Sequence, residues 1–158
     1  MDNNVSFRVH KDELADAAAW VARSLPTKST QPVLRAVVIT ADDNGLEFAG
    51  FDYEVSTRVR IGAEVNDPGR VAVAGKLLAD IVGTMPNDAI EVSTDSKVMT
   101  LKARSSRFEL PLIALDDYPQ LPHLPEVTGR ISPAALTGAV TQVASAAGRD
   151  DTLPMLTG

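Results

Sequence analysis

The chain has 158 residues, a length for one domain or one domain and part of another, and 44% hydrophobic against 23% charged residues favours a packed core over general disorder. Its balance is acidic, 15 Lys and Arg against 21 Asp and Glu for a net charge of −6, which disfavours a protein that grips nucleic acid mainly through phosphate contacts. The absence of cysteine excludes disulfides, thiolate metal sites and a cysteine nucleophile, and no apolar run reaches the ~18–20 residues of a membrane helix.

Residues Val5–Val9 alternate apolar and polar and predict a half-buried strand. From Lys11 to Ser24 the period becomes helical, with Leu14, Ala17, Ala18 and Val21 on one face and Leu25-Pro26 as the stop. Trp20, at the edge of that face, is expected to pack into the core. Thr27–Gln31 is polar and predicts a loop, followed by a branched apolar strand over Val33–Thr40. Asp43-Asn44-Gly45 signals a hairpin turn into strands at Leu46–Gly50 and Tyr53–Ile61. Asp67-Pro68-Gly69 marks another turn, then come a short strand at Val71–Val73 and a helix at Gly75–Thr84 ended by Pro86. Strands are expected at Ala89–Thr94, Val98–Ala103 and Arg107–Ile113, and a proline-rich linker at Asp116–Pro125. The reading is α+β, with two similar strand-helix-three-strand halves.

After the linker the opening of the chain recurs. Arg8, Leu14, Ala17, Val21, Ala22, Thr30, Pro32 and Leu34 fall on Arg130, Leu136, Ala139, Val143, Ala144, Thr152, Pro154 and Leu156 without a gap. The helical pattern, the strand before it and the Pro-apolar-Leu entry after it all repeat at one spacing. A second domain of the same fold is therefore expected to begin near residue 130, dividing the chain into 1–127 and 128–158. A strand, a helix and a strand edge cannot bury their own apolar face, so the chain is expected to be a piece of a longer repeat protein. The helix at Pro133–Ala147 is expected to pack its Leu136, Ala139, Val140 and Val143 on another copy or on the first domain.

Several motifs together resemble one family. They are Pro32-Val33-Leu34, Gly50-Phe51-Asp52-Tyr53-Glu54, Ala74-Gly75-Lys76-Leu77-Leu78, Ser106-Arg107-Phe108, Asp117-Tyr118-Pro119-Gln120-Leu121-Pro122, and Gly148-Arg149-Asp150-Asp151 with Pro154-Met155-Leu156. In this order and spacing they resemble the bacterial sliding clamps, the beta subunits of DNA polymerase III. The resemblance implies the DNA-clamp fold, with helices on one face of antiparallel sheets, and a cytoplasmic homodimeric ring of three like domains per subunit. It implies a processivity factor that encircles double-stranded DNA and serves the replicative polymerase and the clamp loader. Residue by residue, it implies DNA contacts at Lys28 and Arg149, the latter beside Asp150 and Asp151, which would repel phosphate. It also implies a dimer interface at Lys76, Arg107, Phe108 and Leu110, and the edge of a partner-peptide pocket at Pro154, Met155 and Leu156.

No chemistry is expected of the chain itself, and the resemblance implies no cofactor and no metal. Gly69 and Gly75 are separated by five residues and Lys76 is followed by Leu77, which fails the phosphate-loop pattern. Asp42-Asp43, Asp116-Asp117 and Asp150-Asp151 stand in turn or loop contexts and read as turn residues. A scaffold of the clamp fold that does not encircle DNA is the alternative. It gains if Lys11, Arg23, Lys28, Lys76 and Arg149 do not gather on a helical face. A small α+β ligand-binding or enzymatic domain would instead need a deep pocket with converging polar groups.

Overall fold

The structure is a computed structural model that describes residues 4–28, 31–150 and 152–157. Residues up to Pro122 form one unit and those from His123 onward a second. In the first unit β1 (Ser6–His10) leads into α1 (Lys11–Ser24), a 3₁₀ turn (Pro32–Arg35), β2 (Ala36–Asp42), β3 (Gly45–Phe51), β4 (Ser56–Ile61) and β5 (Glu64–Asp67). Then follow β6 (Gly69–Ala74), α2 (Gly75–Thr84), β7 (Ala89–Thr94), β8 (Val98–Ala103) and β9 (Ser106–Ile113). All pairings are antiparallel, and the strands run in the order β4-β3-β2-β6-β9-β8-β7-β1-β5. The two ends of that order, β4 and β5, are separated in sequence by Gly62 and Ala63 alone.

The two halves exchange strands. β1 opens the first half but pairs with β7 of the second, and β6 opens the second half but pairs with β2 of the first. The registers repeat as well. Ile39 faces Phe48 as Val92 faces Leu101, and Phe48 faces Val59 as Leu101 faces Phe108. Each of these strands sends alternate residues inward, so matching registers put matching side chains into one core. Phe7, Leu14, Ile39, Phe48, Leu78, Val82, Leu101 and Leu110 belong to a single buried cluster, with α1 and α2 both contributing to it.

Local chemistry sets the helix limits. The His10 ring nitrogen Nδ1 accepts from the Asp12 amide at 3.4 Å, Asp12 and Glu13 occupy the first turn, and Arg23 the last, all in accord with the helix dipole. Leu25 and Met85 close α1 and α2 alike, each donating its amide back three residues, and Pro26 and Pro86 prevent continuation.

Several expectations are corrected. Val33–Arg35 is not strand but part of the 3₁₀ turn behind Pro32. β4 starts at Ser56, because Asp52–Val55 is a turn in which Asp52 Oδ1 accepts from the amides of Glu54 (3.0 Å) and Val55 (2.6 Å). β5 was not anticipated. Its Val65 alone packs on the core, so the segment has little apolar alternation to detect. Trp20 is 45% exposed instead of buried. The linker is anchored at its start: Tyr118 is buried against Ala36, Val38 and Ala72, and Arg58 Nη2 donates to the Pro122 carbonyl at 2.6 Å.

In the second unit α3 (Pro133–Ala144) and a 3₁₀ turn (Pro154–Leu156) start where the repeat places the counterparts of α1 and of Pro32–Arg35. Ser132 caps α3, its Oγ accepting from the Ala135 amide at 3.3 Å. The helix ends three residues short of the expected Ala147. Residues 128–132 are not strand. β1 is held between β7 and β5, and the second unit has no such partners among its described residues. α3 buries none of its residues, whereas Leu14, Ala18 and Val21 of α1 are at most 1% exposed.

Candidate functional site

The end of α1 meets the beginning of α2. Leu25, the residue that closes α1, packs on Gly75, the first residue of α2. The helices therefore run past one another in opposite senses, with Arg23 in the last turn of α1 and Lys76 in the first turn of α2 at the same end of the pair, and Lys28 three residues beyond Leu25 in the chain. All three are exposed, and Arg23 Nε also donates to the Ala19 carbonyl at 3.3 Å. Lys28 follows Pro26 in the loop beyond α1, and residues 29 and 30 of that loop lie outside the described residues. Lys11 lies at the opposite end of α1, its Nζ 3.7 Å from the Asp12 carboxylate. The exposed acids Asp12, Glu13, Asp16 and Asp80 match these four basic residues in number. The helical side of the first unit is thus polarised along its length and is not uniformly basic.

β9 carries the expected association residues. Among the described residues β6 pairs with β9 at Leu112 and Ile113 alone, so the stretch Ser106–Leu110 is bonded to β8 on one side and has no strand on the other. Alternation divides the strand. Arg107 and Glu109 point outward together, with Arg107 Nη2 2.6 Å from Glu109 Oε1. Phe108 is half-buried against the core. Leu110, expected at the interface, is 0% exposed within the core and has no surface to offer a partner. Lys76 stands on the first turn of α2.

In the second unit, Met155 and Leu156 line an apolar groove of about 660 Å³ with Ala139, Val140 and Val143 of α3. Pro154 is exposed in the same 3₁₀ turn without lining the groove. The turn is held by the Gly148 amide, which donates to the Leu156 carbonyl at 2.5 Å. Arg149 is exposed between these two features. Beside it, Asp150 accepts from the Thr152 amide at 3.0 Å and from the Thr152 hydroxyl at 2.7 Å, which holds its carboxyl below the usual range. Asp150 therefore stays ionised next to Arg149. Asp151 lies outside the described residues.

Tyr53, expected to open a strand, stands instead in the turn before β4. Its φ is +76°, an uncommon conformation for a bulky residue, and its side chain is 61% exposed. Only the Asp at 52, a turn former, hinted at it. Among the described residues no cluster of three His, Cys, Asp or Glu is placed to hold a metal ion. No helix of the described residues is long and apolar enough to cross a membrane.

Comparison with known proteins agrees with this architecture. Residues 5–122 match the family described as DNA polymerase III beta subunit, N-terminal domain. The chain is 48% identical to the beta sliding clamp of Streptomyces coelicolor over 98% of its own length and 41% of that protein. It is 44% identical to the beta sliding clamp of Micrococcus luteus over 97% of its length and 49% of that protein. Among solved structures, the sliding clamp of Bacillus subtilis superposes with a TM-score of 0.85 at 24% identity, covering 98% of this chain and 43% of that one. The chain thus spans less than half the length of the relatives it matches. The exchanged strands, the repeated registers and the match over residues 5–122 together make this chain a member of the DNA polymerase III beta subunit family, the bacterial sliding clamps.

Proposed function

We propose that the protein to which this chain belongs is a processivity factor of DNA replication, a ring that encircles double-stranded DNA and tethers the replicative polymerase. Residues 1–127 would be its first clamp domain with the connecting segment, and 128–158 the start of its second. One observation carries the reading: a module whose halves are alike and which keeps β9 open along Ser106–Leu110. Such an edge accepts another strand through backbone hydrogen bonds, and modules joined edge to edge build an arc. The same edge, with Arg107, Phe108 and Lys76, would form the subunit interface of the full-length homodimer. Leu110 would support it from the core.

The role assigned to the chain is mechanical, with no reaction of its own. A closed ring needs no sequence readout, and a few basic groups passing phosphates give weak, salt-screened attraction compatible with sliding. Lys28, in the loop that follows α1, is the favoured contact in the first domain. Arg149 would act in the second, weakened by Asp150. Met155 and Leu156 would form one edge of a groove for peptides of the polymerase or of the clamp loader, with Pro154 setting the turn that carries them. The protein would work in the cytoplasm.

The balanced charge of the helical side favours a second reading, a clamp-fold scaffold that does not encircle DNA. Loading the full-length protein onto nicked circular DNA, with its clamp loader and ATP, separates them. A ring stays on the circle and is lost within minutes of linearisation. Equal retention on circular and linear DNA would reject the ring.

A further inference from the structure

Beside the anchored linker lies a groove of about 650 Å³ that none of the foregoing uses. It is lined by Pro32 and Val33 of the 3₁₀ turn, Ile113 at the end of β9 and Ala114 after it, Tyr53, and the polar Gln31 and Asp117. We propose that it is a docking site for a partner-protein segment carrying an arginine between apolar side chains.

Three features of the site determine that occupant. Its floor of Pro32, Val33, Ile113 and Ala114 is apolar and suits aliphatic side chains. Its wall is an aromatic ring held outward. Tyr53 takes a left-handed backbone that glycine or asparagine would adopt more readily, and the Asp52 carboxylate locks the turn through the Glu54 and Val55 amides. The ring is propped against Phe51, with centroids 5.6 Å apart, so little freedom is lost when something stacks on it. Its charge is negative: Asp117 lines the groove and the exposed Glu54 adjoins Tyr53, while no Lys or Arg is among the lining residues. The basic residues around it are Arg35, at the far end of the 3₁₀ turn, and Arg70, which with Lys97 lines an adjoining cavity that shares Ile113 and Ala114. A guanidinium fits between a Tyr face and carboxylates, whereas phosphate would be repelled. The site includes none of the residues Ser106–Leu110 of the open β9 edge, so it stands or falls apart from the ring.

The test is an NMR titration of the ¹⁵N-labelled chain with N-acetyl-Leu-Arg-Leu-amide and its Leu-Glu-Leu analogue, each to about 5 mM. Saturable shifts are expected at Val33, Tyr53, Ile113 and Ala114, with the glutamate peptide about threefold weaker or worse. Tyr53→Gly suits the backbone, keeps the fold, and is expected to weaken the arginine peptide about fivefold. Asp117→Asn is expected to weaken it about twofold. Absence of saturable shifts, shifts centred elsewhere, equal affinity for the two peptides, or unchanged affinity in Tyr53→Gly would each overturn the proposal.

Discussion

Leu25 fills the space that a side chain on Gly75 would need. A methyl group built on Gly75 collides with Leu25 Cδ1, and one built on Gly50 would lie 2.8 Å from Leu25 Cδ2. Both methyls of Leu25 are thus lodged against glycines, and the residue is 5% exposed. This explains two of the motif glycines: each lets a helix end or a strand approach one leucine closely.

Gly75→Ala should therefore destabilise the chain by about 1–3 kcal/mol, because Leu25 cannot turn away from one glycine without meeting the other. Leu25→Ala alone should cost about 2–5 kcal/mol by leaving a cavity. The double variant Gly75→Ala with Leu25→Ala should be less destabilised than the two effects added, since the new methyl enters the vacated space. Urea unfolding of the four proteins measures this, and strict additivity would show that the two residues do not share the site.

Tyr118 offers a second, opposite case. Its ring is buried against Ala36, Val38 and Ala72, and its hydroxyl has no hydrogen-bond partner among the described residues. Burial pushes its ionisation upward, and the nearby Phe51 backbone opposes that without completing a hydrogen bond. Tyr118→Phe should be neutral or stabilising by up to about 1 kcal/mol, since it removes an unsatisfied polar atom. Tyr118→Ala should cost about 3–5 kcal/mol and release the segment that Arg58 holds at Pro122. Thermal melts, with hydrogen exchange at Leu121, read both effects.

Acid should destabilise the first unit through specific carboxylates. Asp42 is held below its ordinary 3.8 by hydrogen bonds from Arg60 and the Asn44 amide, Asp88 by Arg104 and the Ala89 amide, and Asp95 by the amides of Lys97 and Val98. Each folded-state value lies below its unfolded one, so between the two the unfolded chain binds more protons. The stabilisation is complete above about pH 5 and fades as the pH falls below about 4. These groups are at the surface, so salt should shrink the effect. Urea midpoints at pH 6 and pH 3 should differ less in Arg60→Gln than in the parent chain, and an equal loss in both would remove Arg60 from the account.

The order of elements could be read because local signals and tertiary demands agree over most of the first unit. α1 and α2 match their expected limits because Pro26 and Pro86 stop them and the apolar residues repeat at helical spacing. β7 and β8 match because alternation and burial coincide. The 3₁₀ turn at Pro32–Arg35 was hidden because Val33 and Leu34 look like strand in isolation, and only the docking of Leu34 on the core distinguishes them. The strand exchange between halves was illegible, since it depends on β1 meeting β7 some eighty residues away in sequence. Of the residues expected at the interface, alternation showed that Phe108 and Leu110 share a face. It could not show that the face points into the core.

That division of β9 gives a pair of variants with opposite signatures. Arg107 is exposed and, among the described residues, its side chain pairs with Glu109 alone, so Arg107→Glu should leave the stability of this chain within about 0.5 kcal/mol. In the full-length protein it would place two acids side by side on the open edge and should shift the proposed homodimer toward monomer, read by sedimentation at micromolar concentration. Leu110→Ala removes a fully enclosed side chain beneath that edge and should cost about 2–5 kcal/mol of stability in the isolated chain. Its effect on association should be secondary and disappear under conditions where the domain remains fully folded. If Leu110→Ala left stability intact and abolished dimerisation, Leu110 would be a direct contact and the side-chain alternation along β9 would be reversed. If Arg107→Glu left the dimer untouched, the open edge of β9 would not be where subunits meet.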